Sequence, residues 1–193
     1  MKLLGTIARL QIQRSSLTIG TGPARYFDPA ALLVVDELFL TPGGACAPAP
    51  DGSCLVDVHH AAHPFTRSRS ENTLSVGFSR HYDTMRTRFG ETFAFGCAAE
   101  NIIIDGAAPR IAPDEVAASL AIETTNGLAT LTRVVVAAPC MPFAKFALRD
   151  PEASTAAVKS TIQFLDHGVR GYYCAFAGSK TATICCGAKV FAL

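Results

Sequence analysis

Two runs, Ala117-Ala118-Ser119-Leu120-Ala121-Ile122-Glu123 and Ala129-Thr130-Leu131-Thr132-Arg133-Val134-Val135-Val136, flank Thr124-Thr125-Asn126-Gly127. Both runs are apolar and rich in strand-forming side chains. An Asn-Gly pair between such runs signals a hairpin, because these residues tolerate the backbone angles of a tight turn. The same reading extends outward along the chain. Ala8 to Gln13 alternates apolar and polar, the period of a half-buried strand. Ala31 to Leu40 is a Leu- and Val-rich strand stopped by Thr41-Pro42-Gly43-Gly44, and 42–54 reads as a surface loop. Leu55 to His59 alternates again, and Ile102-Ile103-Ile104-Asp105-Gly106 is a buried strand with a turn. Gly171 to Phe176 and Ala182 to Cys186 read as closing strands around Gly178-Ser179.

Two helices interrupt this pattern. Phe78, Tyr82, Met85 and Phe89 fall on one helical face, with Thr73 or Ser75 as the cap and Gly90 as the stop. A second follows Asp150-Pro151-Glu152, with Val158, Ile162 and Leu165 on its buried face and His167-Gly168 at its end. Many short strands with embedded helices predict a mainly β chain: a closed β-barrel with two or more peripheral helices. Its 193 residues suit a single domain, 1–193.

Apolar residues make up 49% of the chain and charged residues 17%, so a large core is expected. A net charge of +1 excludes a strongly basic nucleic-acid binder. The seven cysteines contain no CxxC pair, and no signal-peptide pattern precedes them. Reduced thiols in a cytoplasmic protein are the expectation. No apolar run is long enough to span a bilayer, so neither membrane nor nucleic acid is an expected partner.

Four constellations are candidates for chemistry. Cys140 ends the run from Thr132 to Val136 and stands between Pro139 and Pro142, next to Met141; the prolines bar a continuing helix or ladder. A thiol fixed there suits a soft metal ligand or a sulfur nucleophile, against the blander reading of a small buried hydrophobe. His59-His60-Ala61-Ala62-His63-Pro64 concentrates three of five histidines, with no glutamate to serve as a metalloprotease base. Arg67 and Arg69, interleaved with hydroxyls ahead of a helix expected near Ser75, can cradle a phosphate. Glu100-Asn101 at the mouth of the 102–104 strand needs partners if buried.

The order of these segments resembles a MOSC domain, the module at the C-terminus of molybdenum-cofactor sulfurases and in stand-alone proteins. The resemblance runs from His59–Pro64, Leu74-Ser75 and Phe89-Gly90 through Glu100-Asn101-Ile102 and Arg133 to Pro139-Cys140, then Arg170-Gly171-Tyr172-Tyr173. It covers roughly residues 30 to 190. It implies a closed barrel whose pocket cysteine, here Cys140, carries sulfur or ligates molybdenum. It further implies that Asn101 and Arg133 lie near a molybdenum-pterin cofactor and that Thr73 and Ser75 contact its phosphate. Sulfur carriage and pyridoxal phosphate binding are further attributes it implies. The chain departs from the family pattern in two places. Ala99 precedes Glu100 where a glycine is usual, and Ala188 follows Gly187 where an acid is usual.

The first reading is thus a molybdenum-dependent oxidoreductase reducing N-hydroxylated or N-oxide compounds. It would hold the pterin through Arg67, Arg69, Thr73, Ser75, Asn101 and Arg133, with a small-molecule substrate and an electron-donor protein as partners. The second is a sulfur carrier with a persulfide on Cys140, loaded by a sulfur-donor protein. The third is a zinc hydrolase built on His59, His60 and His63. Cys174, Cys185 and Cys186 are expected to be buried and inert.

Overall fold

The computed structural model describes residues 1–66, 69, 72–91, 93–106, 113–116 and 118–193. In chain order the elements are β1 (Lys2–Gln13), β2 (Thr18–Ile19), β3 (Tyr26–Phe27), β4 (Leu32–Val35), β5 (Glu37–Thr41), β6 (Gly44–Pro48), β7 (Cys54–Val56), β8 (Leu74–Phe78), α1 (Ser79–Phe89), β9 (Ile102–Asp105), α2 (Pro113–Val116), β10 (Ser119–Thr124), β11 (Gly127–Val136), α3 (Met141–Leu148), α4 (Thr155–Leu165), β12 (Tyr172–Phe176), β13 (Ala182–Cys185) and β14 (Lys189–Ala192).

Seven strands close into a barrel in the order β14-β10-β11-β12-β8-β9-β1, with β1 returning to β14. Closure removes the unpaired strand edges that an open sheet would expose. The expected mainly β barrel with peripheral helices is what forms. Its pairs are antiparallel except β8–β9. A parallel pair needs a crossover, and α1 with the turn after it supplies one. β1 is long enough to pair with β14 through Lys2–Thr6 and with β4 through Leu10–Gln13. A second sheet, β13-β5-β6-β7, packs Leu38, Leu40, Ala45, Ala47 and Ile184 into the same core.

Strand alternation decides which side chains fill the barrel. Ile102 and Ile104 join the interior, while Ile103, between them, joins a second cluster under the helices with Tyr82, Met85, Phe93, Phe143, Ala147 and Leu165. The α1 stripe therefore buries Tyr82 and Met85 as the spacing predicts.

The hairpin expected around Asn126-Gly127 forms β10 and β11, paired from Ser119↔Thr132 to Thr124↔Gly127. Several other expectations are corrected. The 31–40 run is two strands in two sheets: β4 pairs with β1 and β5 with β6 and β13, with a bend at Asp36 between them. The expected loop at 42–54 contains β6, whose Gly44–Ala47 are buried. Its small residues mark tight packing rather than a turn. Ser75 lies within β8, so α1 begins at Ser79 without a side-chain cap, although Gly90 closes it as expected. The cap of α4 is Ser154, whose hydroxyl accepts from the Ala157 amide, in place of Asp150. β12 and β13 do not form a hairpin, because β12 pairs with β11 and β8 while β13 pairs with β5. The closing strand is β14, which the sequence reading did not single out. Cys174 is buried, but Cys185 and Cys186 are exposed.

The largest correction is α3. Pro142 does not bar a helix; it sits in the first turn, where its missing N–H is not needed, and Cys140 is the N-cap residue. Phe143, Ala144 and Ala147 bury one face of this helix.

Candidate functional site

One mouth of the barrel gathers the end of β1, the starts of β8, β9 and β12, and the end of β11. The registers Tyr173↔Ser75, Val135↔Tyr173 and Leu10↔Ile102 set these ends level with one another. A hollow of about 160 Å³ opens there, and its lining includes Gln13, His59, Ser75, Cys140, Arg170 and Tyr173. Strand pairing brings together residues that are far apart in sequence.

Cys140 enters the hollow because β11 ends at Val136 and α3 starts at Met141. Its thiol is not spent on capping the helix, and the residue is exposed. Arg170 precedes the barrel strand β12. Its guanidinium lies 4.7 Å from the centroid of the Phe143 ring, which fixes it without using its hydrogen-bond donors.

His59 is oriented by Asp57, a fully buried carboxylate. Asp57 Oδ1 accepts from the His59 amide at 2.8 Å and lies 3.0 Å from His59 Nδ1. A carboxylate only accepts, so Nδ1 carries the proton and Nε2 remains for the hollow. Asp57 Oδ2 accepts from the Gln13 amide at 2.7 Å and from Asn101 Nδ2 at 2.9 Å. Four hydrogen bonds thus satisfy this carboxylate, the condition for burying it.

Asn101 is correspondingly committed. Its Oδ1 accepts from the Ser75 amide at 3.0 Å and the Ser75 hydroxyl at 3.1 Å, and its Nδ2 also donates to the Gln11 carbonyl. The side chain pins neighbouring strands and an acid together, leaving no hydrogen atom of its amide for a ligand. Ser75 lines the hollow, yet its hydroxyl also accepts from the Asn101 amide. Of the other residues expected here, Thr73 is buried outside the hollow lining. Arg133 is exposed at the β11 register shift, with φ 54°, and is also outside that lining. Arg69 is exposed ahead of β8, and its backbone amide donates to Asn72 Oδ1 at 2.6 Å. Arg67 lies outside the described residues. The helix start expected near Ser75 lies instead at Ser79, because Ser75 is in β8.

The three histidines go to separate partners: His59 to Asp57, His60 Nε2 to Thr41 Oγ1 at 3.0 Å, and His63 Nε2 to the Arg14 carbonyl at 3.3 Å. Among the described residues no group of three His, Cys, Asp or Glu side chains is placed to hold a metal ion, so the zinc-hydrolase reading loses its basis. Among the described residues that line the hollow there is no lysine, hence no amine for a pyridoxal phosphate Schiff base.

Behind the hollow, Glu100 is fully buried. Its Oε2 accepts from Tyr82 Oη at 2.6 Å, while Oε1 has no hydrogen-bond partner among the described residues. Burial raises its pKa above the ordinary value, opposed first by the charge of Arg170. Two glycines make its room: a Cβ at Gly77 would lie 2.5 Å from Oε1, and one at Gly171 3.1 Å from the Glu100 side chain. Burial also pushes the Cys97 and Cys174 thiols up to about 12, so these cysteines are inert by comparison with an exposed thiol.

Arg170 and Tyr173 belong to a sequence motif that carries no role for them, and Asp57 is a further site residue outside the expected set. The signal for Asp57 was an acid inside the alternating run Leu55 to His59. Arg170 had one too, as a lone cation directly before a barrel strand.

The fold and site define a closed β-barrel with a thiol, an oriented imidazole and a guanidinium at one mouth. No family model matches the chain, and no curated protein matches it in sequence. Solved structures do share its fold. The YuaD protein from Bacillus subtilis matches over 95% of this chain and 96% of its own, with a TM-score of 0.54 at 12% identity. A hypothetical protein matches over 83% of this chain and 63% of its own, with a TM-score of 0.52 at 15% identity. Among the described residues no helix is long and apolar enough to cross a membrane.

Proposed function

We propose that this chain is a MOSC-type domain that binds a molybdenum-pterin cofactor, with Cys140 as the protein ligand to the metal. The observation that carries the reading is the convergence of Cys140, Arg170, His59, Ser75 and Tyr173 on one hollow. The donor set fits the metal end of such a cofactor. It offers one exposed soft thiol in the same hollow as Arg170, a cation that no carboxylate among the described residues neutralises by a salt bridge. At about 160 Å³ the hollow lies below the roughly 300 Å³ of an ordinary small-molecule pocket, so it suits the metal and its immediate ligands rather than the whole pterin.

When bound, the cofactor supplies two-electron redox chemistry, and reduction of N-hydroxylated compounds is the activity proposed. Cys140 holds the metal at the mouth. Arg170 balances negative charge there from a position fixed by Phe143. His59, oriented by Asp57, exchanges a proton with the substrate at Nε2. Asn101 acts through Ser75 and Asp57, as a positioning residue.

The small volume favours a second reading, sulfur carriage. Cys140 would take the outer sulfur of a donor persulfide, leaving the donor as a thiol and Cys140 as a persulfide. Metal analysis of protein from cells that make the cofactor separates the two. Molybdenum near one equivalent, lost in Cys140→Ser, with reduction of an N-hydroxylated amidine supports the first. Cyanide-releasable sulfur on Cys140 without molybdenum supports the second. Neither, in the folded protein, overturns both.

A further inference from the structure

A larger cavity, about 630 Å³, lies on the other side of Phe27, which lines both spaces. Its volume falls in the range of small-molecule sites. Phe27, Phe93 and Phe146 form its aromatic floor. Phe27 and Phe146 have centroids 5.1 Å apart, and Phe93 and Phe146 are 6.1 Å apart. From α3, Pro142, Lys145 and Phe146 line one wall at the spacing of a single helical face, continued by the C-cap residue Arg149. Arg25, from the segment before β3, lines it from another direction.

The charges around this cavity are not settled among themselves. Lys145 Nζ donates to the Pro151 carbonyl. Among the described residues, no salt bridge joins Arg25 or Arg149 to Asp150 or Glu152, although all four line the cavity. Lys145 and Arg149 by themselves would be explained as cations complementing the end of α3. Arg25 is on a different element, so that explanation does not reach it. Arg149 also holds φ 55°, the left-handed C-cap conformation usually given to glycine.

We propose that this cavity binds a small amphipathic anion. A flat aromatic body rests on the phenylalanine floor, and one carboxylate-type group meets the guanidiniums of Arg25 and Arg149. Planar guanidinium groups recognise a carboxylate with paired, charge-assisted hydrogen bonds. This site does not rest on the metal reading, and either can fail without the other.

Calorimetric titration of the whole chain with 2-naphthoate, against its neutral isostere 2-naphthamide, tests it. Saturable one-to-one binding of the carboxylate is expected, at least about tenfold tighter than the amide. Arg25→Gln with Arg149→Gln, both exposed positions, should remove that preference, and Phe146→Ala should weaken both ligands. Cys140→Ser should leave the affinity unchanged. Equal affinity for acid and amide, no binding of either, a preference that survives both arginine changes, or loss of binding in Cys140→Ser would each overturn the proposal.

Discussion

Replacing Asn101 by alanine separates a structural pin from a cofactor ligand. The side chain makes four hydrogen bonds: to the Ser75 amide, the Ser75 hydroxyl, the Gln11 carbonyl and Asp57 Oδ2. The Ser75 hydroxyl keeps its bond from the Asn101 amide, and Asp57 Oδ2 keeps the Gln13 amide, so these two are weakened rather than stranded. The Ser75 amide loses its Asn101 acceptor in a site where water does not enter easily. At about 1 kcal/mol for each of the three neutral bonds and about 1.5–3 kcal/mol for the bond to the charged acid, the loss is up to about 4.5–6 kcal/mol. For a chain of this size that lowers Tm by about 9–24 °C. Urea denaturation should show the midpoint falling with the slope unchanged. Asn101→Asp gives the companion result. It places an oxygen where Nδ2 now lies 2.9 Å from Asp57 Oδ2, so its instability should ease on acidification as one carboxyl takes up a proton. A loss below about 1 kcal/mol in Asn101→Ala, set against the net worth of even one hydrogen bond, with bound molybdenum falling instead, would refute the reasoning and return Asn101 to the ligand set.

Three further outcomes are expected. Ala99 holds φ 73°, and Ala99→Gly should raise stability by up to about 1 kcal/mol, read as a higher urea midpoint; a decrease would show that burial of its methyl outweighs the strain. Because burial raises the Glu100 pKa, the folded state holds that proton more tightly than the unfolded chain. Its contribution is therefore fully present below the ordinary carboxyl range and lost as pH rises through the folded pKa. Glu100→Gln should flatten that part of the stability–pH curve, and an unchanged curve would exclude Glu100 as its source. Finally, the Cys46 and Cys54 sulfurs are 3.3 Å apart across β6 and β7. Hydrogen peroxide should join them with loss of two hydrogens and formation of water, seen as a linked peptide by mass spectrometry; joining of other cysteines first would count against it.

Local chemistry made much of the barrel readable. The β10–β11 hairpin, the Ile102–Ile104 strand and the α1 stripe rest on period and turn residues within a few positions of one another, which a one-dimensional pattern records directly. What failed did so where the fold overrode such a pattern. Pro142 reads as a breaker but occupies the one helical turn that tolerates it. Gly44–Ala47 read as a loop because small residues mark turns, yet they are small because β6 is packed on both sides.

By itself, then, the sequence determined a β-rich chain with a thiol isolated between two prolines, since those follow from residue type and spacing. Tertiary structure alone decided that Cys140 would share a hollow with Arg170 and with a His59 aimed by Asp57. It also decided that Asn101 would be consumed in holding the hollow together. Those outcomes depend on which strands pair and in what register, a property of the closed barrel that no single segment contains.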